Sequence, residues 1–181
     1  MEIKIKDKPS NEFYDEFLYI TTNYKKIIKV PDTRVNLLTK SIRNQIIIIV
    51  AGLLFEVLFY FITKDNIYLY LALILAVTLF IYVVYYFGIK KRINVFRDSD
   101  HDNKVVIDKK GVTLKRKDQD VSLGYDAINM IIINKYSIVV VPKDLSLVFL
   151  GIPSEYKDEL IEGIKENHRF KLLVDNTELY K

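Results

Sequence analysis

The sequence predicts an α+β membrane protein: a two-helix transmembrane hairpin and a small antiparallel β domain, a bent sheet or open barrel, capped by a C-terminal helix. Two apolar runs lie between residues 45 and 89, parted by a few polar residues. Basic residues crowd both outer ends of that pair. Beyond residue 103, short β-type runs alternate with turn residues and end in one amphipathic stretch. At 181 residues, half of them hydrophobic, the chain can hold one ordinary soluble domain and a membrane anchor.

Residues 1–44 precede the hairpin. Phe13, Phe17, Ile20, Tyr24 and Ile27 recur at steps of four and three, which puts one apolar stripe along a helix from about Ser10 to Ile28. Ser10 or Asn11 can cap its start. Glu12, Asp15 and Glu16 stand near its beginning and Lys25, Lys26 and Lys29 near its end, as the helix dipole favours. Pro31 and Asp32 end it. Such a helix is expected to pack on the protein's own soluble domain; lying on the membrane surface and pairing with a partner helix are the alternatives.

The first span covers residues 45–63, where Ile46 to Thr63 carries a single charge, Glu56. The second covers 67–89 and carries none. A helix needs about 20 apolar residues to cross a hydrocarbon core of ~30 Å, and both runs match. The other reading, a pair of core helices in a large soluble protein, fails because too little chain remains to cover them. The connection is so short that the helices must be antiparallel neighbours. Lys25, Lys26, Lys29, Arg34, Lys40 and Arg43 precede the first span, Lys90, Lys91, Arg92 and Arg97 follow the second, and the turn has only Lys64 beside Asp65. The positive-inside rule therefore places both termini in the cytoplasm, with Tyr68, Tyr70, Tyr85 and Tyr86 at the two interfaces. The abundance of Ile, Lys, Asn and Tyr, usual for an AT-rich bacterial genome, makes a bacterial inner membrane the expected one.

A connector spans 90–103. Its Asp98, Asp100, His101 and Asp102 imitate a metal cluster, but the spacing fits no familiar site and a solvated linker is expected. The β domain covers 104–174. Strands are expected at Lys104–Asp108, Val112–Lys117, Val121–Leu123, Ile128–Ile133, Tyr136–Val141 and Leu147–Ile152, parted by Lys-Lys-Gly, Asp-Gln-Asp, Asn-Lys and Pro-Lys-Asp turns. Pro153 and Ser154 open a helix whose Tyr156, Leu160, Ile161 and Ile164 share a face. Arg169–Val174 is a further strand candidate. Ile107, Val112, Leu114, Ile128, Ile132, Val139 and Leu160 are the expected core.

In layout the chain resembles the YcxB-like family of bacterial membrane proteins, whose C-terminal domain is similar to pleckstrin-homology (PH) folds. The resemblance rests on Val106-Ile107-Asp108 with Gly111-Val112, on Tyr125-Asp126-Ala127-Ile128, on Tyr136 to Val141 and on Ile152-Pro153. The family commonly has an aromatic, often tryptophan, where Tyr125 stands, and a basic residue where Ser154 stands. The resemblance implies an N-terminal strand before the first helix and a PH-like cytoplasmic domain, a fold that hosts many functions. Small two-span proteins of this kind also occur beside genes for membrane-active peptides or secreted toxins, which implies self-protection (immunity) as a second role.

No catalytic signature emerges. The chain has no cysteine and two histidines far apart, His101 and His168, and its glycines are scattered singly. Thiolate chemistry is excluded, and neither a metal centre, a phosphate loop nor a nucleophile–base pair assembles, so no enzyme and no cofactor are expected. The net charge of +4 is explained by topology, which leaves no case for nucleic acid. Two sets of residues merit attention. Glu56 lies near mid-membrane, where a charged carboxylate costs roughly 2.5–3.5 kcal/mol unless protonated, paired or wet. Folding the hairpin about Asp65 sets Glu56 opposite Ile74, so a protonated Glu56 bonded to Tyr70 or Thr78 is expected, with an oligomer contact or a site for a membrane-inserted ligand as alternatives. Lys90, Lys91 and Arg92, with Lys115, Arg116 and Lys117, are candidate contacts to anionic lipid; for the second trio a solvated, charge-protected strand edge is the plainer reading.

The expected function is thus a membrane-anchored binding module whose partners are the bilayer and an unidentified protein. An immunity protein facing a toxin, and an oligomeric transporter or channel subunit with Glu56 along a path, are the alternatives. Two spans enclose no pore, so the last requires a homo-oligomer.

Overall fold

The computed structural model describes residues 1–5, 8–99, 103–115, 120–144, 146–167 and 173–180. It divides into two units. Residues 37–94 form one; residues 1–36 and 95–181 together form the other, so in the chain the hairpin is an insertion within a single unit.

The hairpin consists of helix α3 (Leu38–Thr63) and helix α4 (Asn66–Ser99). Both are long and apolar enough to cross a membrane, and their most apolar stretches are almost wholly unburied. They are not buried in a core of this chain. Between them Lys64 takes a left-handed conformation (φ 58°, ψ 18°) and donates its amide to the Tyr60 carbonyl, while the Asp65 carboxylate accepts from the Ile67 amide at 3.0 Å. Those two residues close one helix and start the next. The sheltered residues Ile46, Ile49, Leu53, Glu56 and Tyr60 on α3, and Tyr68, Ala72, Leu75, Leu79 and Tyr82 on α4, alternate steps of three and four. That is the seam of two helices packed as in a coiled coil. Phe59 meets Tyr68 with ring centroids 5.6 Å apart, and a Cβ on Gly52 would stand 3.4 Å from Leu75. In this register Glu56 is level with Leu71. α4 runs on as helix through residues 90–99, where the sequence suggested a connector; that stretch has neither glycine nor proline, and its cations suit a helix C-terminal end.

In the unit of residues 1–36 and 95–181 the first helix is broken. α1 (Asn11–Thr22) is capped by Ser10, whose hydroxyl accepts from the Phe13 amide, and ends where the Asn23 backbone and side-chain N–H groups both donate to the Tyr19 carbonyl. A short α2 (Tyr24–Lys29) follows. Two four-stranded sheets make up the rest. The first has the order β1-β2-β3-β4, formed by Glu2–Lys4, Lys104–Ile107, Gly111–Lys115 and Asp120–Gly124, all antiparallel. Ile3 pairs with Val105, so the N-terminal strand crosses from before the hairpin to join strands after it. A 3-10 turn over Tyr125–Ala127 leads to the second sheet, of order β7-β6-β5-β8. Its strands are β5 (Ile128–Ile133), β6 (Ser137–Pro142), β7 (Leu150–Pro153) and β8 (Leu173–Asp175). β8 pairs with β5 in parallel, contrary to an all-antiparallel domain, because helix α5 (Lys157–Asn167) intervenes between β7 and β8. Residues 169–172 of the anticipated last strand lie outside the described residues.

All seven expected core residues are buried, but they belong to two clusters. Ile107, Val112, Leu114, Ile128 and Leu160 lie in a core shared by both sheets and α5, with Tyr156 and Ile161 packed against it. Ile132 and Val139 face the other way, beneath Ile20 of α1 and Ile27 of α2. The second sheet is therefore covered on both faces, which is why Met130–Ile133 and Ile138–Val141 read as unbroken apolar runs.

Candidate functional site

Glu56 projects from the seam of α3, its residue half-sheltered and one carboxylate oxygen, Oε2, fully enclosed with no hydrogen-bond partner among the described residues. The partners expected from the sequence are not engaged. Tyr70 is 65% exposed, and the Thr78 hydroxyl donates to the Ile74 carbonyl of its own helix at 2.9 Å. The register differs from that of a hairpin folded about Asp65: the pairs Phe59 with Tyr68 and Gly52 with Leu75 put Glu56 level with Leu71 and not with Ile74. An open apolar groove of about 450 Å³ between the helices is lined by Leu53, Val57, Tyr70, Ala72 and Ala76.

The basic candidates are divided between the two units. Lys90, Lys91 and Arg92 are exposed on α4 just past the apolar run, with the Lys90 ammonium 5.0 Å from the Tyr86 ring centroid. Lys115 is exposed at the end of β3, paired in register with Asp120. Arg116 and Lys117 lie outside the described residues, as do Asp100, His101 and Asp102 of the metal-like stretch. Among the described residues no group of three or more acidic or histidine side chains is placed to hold a metal.

A third place was not singled out from sequence. Glu16, 1% exposed, directs one carboxylate oxygen at the start of β6. That Oε2 accepts from the amides of Tyr136 (3.0 Å) and Ser137 (2.7 Å) and from the Ser137 hydroxyl (2.7 Å). Burial pushes the carboxyl above its ordinary range, and these hydrogen bonds offset only part of that rise. Its position was visible in principle: Glu16 falls three residues after Phe13 and four before Ile20, on the buried stripe itself.

At the same end of the sheet, Asn176 donates from its amide to the carbonyls of Pro31 (2.9 Å) and Thr33 and to Asn134 Oδ1. The Tyr180 hydroxyl accepts from the Val35 amide at 2.9 Å and donates to the Val35 carbonyl at 3.1 Å. Burial raises the Tyr180 phenol to about 12, so it stays a neutral donor at any physiological pH. The C-terminal residues thereby clamp the segment that leads into α3. Nearby, Lys157 pairs with Asp175; burial pushes that carboxyl up, but Lys157 and Thr177 hold it below its ordinary value.

Chemically, these arrangements position backbone and enclose one carboxylate between apolar helices. No family model, no curated protein and no solved structure matches this chain.

Proposed function

We propose that the chain is a membrane-anchored binding module of the YcxB-like kind. The hairpin spans a bacterial inner membrane with both termini in the cytoplasm, and the soluble unit, PH-like in character, presents its surface to a protein partner. The observation that carries this reading is the insertion of two apolar, uncovered helices into one separately packed unit. A unit with two hydrophobic clusters of its own does not need the hairpin for a core. The hairpin then acts as a tether, leaving the unit by residues on either side of it. Two sheets with a helix closing one side of their shared core support the PH-like reading, and the basic flanks support the orientation.

Photo-crosslinkers placed singly at exposed positions of the soluble unit and of the hairpin, in the full chain in its native cells, test this. The expected result is a chain that resists alkaline extraction from membranes and gives protein adducts from the soluble unit. Adducts confined to hairpin positions would refute it. They would favour the second reading, in which the hairpin itself meets a membrane-active peptide or other copies of the chain. One observation favours that reading: the enclosed, unpartnered oxygen of Glu56.

A further inference from the structure

We propose that one stripe of α3, from Gln45 to Thr63, is the interface through which two copies of this chain pair, with Glu56 meeting its counterpart in the second copy. The inference rests on the membrane-spanning part of the binding-module reading, and it gives the hairpin a pairing role beyond that of a tether.

Between Gln45 and Thr63 every residue is aromatic or large and apolar except Gln45, Ala51, Gly52, Glu56 and Thr63. All but Ala51 follow one another at steps of seven, four and seven, which sets them within about 40° around the helix. With Ile49 and Phe59 between them the steps alternate four and three, the pattern of a helix contact seam. This stripe borders the seam that α3 already makes with α4, since Gly52 lies against Leu75 and Phe59 against Tyr68. Ile49 and Glu56 belong to both. Glu56 is divided accordingly: its Oε2 is enclosed by the hairpin and its Oε1 is not.

Neither oxygen has a hydrogen-bond partner among the described residues. The Thr63 and Thr78 hydroxyls donate to carbonyls of their own helices at 2.8 and 2.9 Å, and Gln45 lies at the polar end of the run beside Arg43 and Asn44. Glu56 is therefore the group inside the stripe that still needs a partner. Acyl chains offer none, and an ionisable residue within a span turns toward a protein neighbour. Gly52, one turn before Glu56, lets a facing backbone come close.

A second copy suits this face on two counts. Two chains of the same orientation in a bilayer pair about an axis along its normal, so each residue meets its counterpart at its own depth. A carboxyl that carries a proton is donor and acceptor at once, so two Glu56 side chains can bond each other reciprocally, as can two Gln45 amides. A foreign helix would have to bring a donor to that one depth.

The test uses the full chain in its native membranes with single introduced cysteines, since it has none of its own. Ile49→Cys and Thr63→Cys lie on the stripe, seven residues either side of Glu56. Leu54→Cys and Leu58→Cys lie on the far face of α3, 63% and 56% exposed. Under a membrane-permeant oxidant we expect disulfide-linked pairs of the chain at 49 and 63 and none at 54 or 58. Adding Glu56→Leu to Ile49→Cys should cut the yield roughly tenfold, whereas Glu56→Gln, which still donates and accepts, should keep it. Resistance to alkaline extraction shows that each variant is inserted. Pairs formed equally on both faces, adducts to a different protein, a yield indifferent to Glu56→Leu, or a Glu56→Gln variant as weak as Glu56→Leu each overturn the proposal. Unpaired chains in alkali-resistant membranes would sink the pairing and leave the tether standing; chains released by alkali would sink both.

Discussion

Replacing Glu16 with alanine removes the acceptor of three hydrogen bonds at the start of β6. Ser137 is fully buried, so its amide and hydroxyl lose their partner where water does not reach; the Tyr136 amide, in a half-exposed turn, can find water instead. Each buried donor left unpaired costs about 1–3 kcal/mol, which puts Glu16→Ala at about 2–6 kcal/mol for this unit. For a unit of this size the melting midpoint should drop on the order of 10 °C. Glu16→Gln keeps an acceptor in place and separates hydrogen bonding from charge. The sign of the pH effect follows from the raised carboxyl. The folded state binds this proton more tightly than the unfolded chain, whose Glu16 titrates near 4.5. The group's stability contribution is therefore best below that pH and declines as pH rises through the higher, folded value. The glutamine variant lacks this decline, so the parent should lose ground to it between mildly acid and neutral pH. Melts of the full chain in nanodiscs, followed by near-ultraviolet circular dichroism, give the midpoints, and amide exchange at Ser137 gives the local effect. An alanine variant that melted with the parent and kept the Ser137 amide protected would refute the assignment of Glu16 as the anchor of α1 on β6.

Four further outcomes are expected. The chain has no cysteine, so single cysteines report topology cleanly: an impermeant maleimide on intact cells should label position 65 and spare positions 10 and 175, and the opposite pattern would invert the orientation. Glu56→Leu should strengthen the hairpin by roughly 2–3 kcal/mol in a steric-trap unfolding assay, because it replaces an unpartnered enclosed oxygen with hydrocarbon. Glu56→Gln should leave the fold in place, and a cellular phenotype lost in that variant, with the protein still in the membrane, would make the carboxylate functional. Gly111 has φ 157°, and a side chain there would run into the Leu123 carbonyl and Gly124 across the β3–β4 pair. Gly111→Ala should therefore cost roughly 2 kcal/mol or more in denaturant unfolding, and a neutral result would contradict that pairing.

Periodicity carries a long way in this chain because it reports local physics. Two charge-poor apolar runs of this size read as long helices, and their length follows from 1.5 Å per residue. The strands at Lys104, Ile128 and Ser137 and the face of α5 are legible for the same reason, since a period of two or of 3.6 is written into neighbouring residues. The Ser10 cap is equally local. What the sequence did not disclose is every pairing between distant segments. The unbroken apolar runs at Met130 and Ile138 mark strands buried on both faces, but nothing local says that α1 and α2 supply the second cover.

The sequence by itself determined the apolar hairpin, the strand-and-helix makeup of the remainder, and the burial of all seven expected core residues, because each depends on where water is excluded along a short stretch of chain. The tertiary structure alone decided that residues 1–36 belong with residues 95–181, that β8 runs parallel to β5, and that Glu56 is level with Leu71, its Oε2 hydrogen-bonded to neither Tyr70 nor Thr78. It also decided that Glu16, which reads as an acid placed for the helix dipole, instead spans 120 residues to hold β6. Those are matters of register and long-range closure. A shift of three residues in a turn, or a strand joining across an inserted hairpin, leaves composition and periodicity unchanged and alters only which side chains meet.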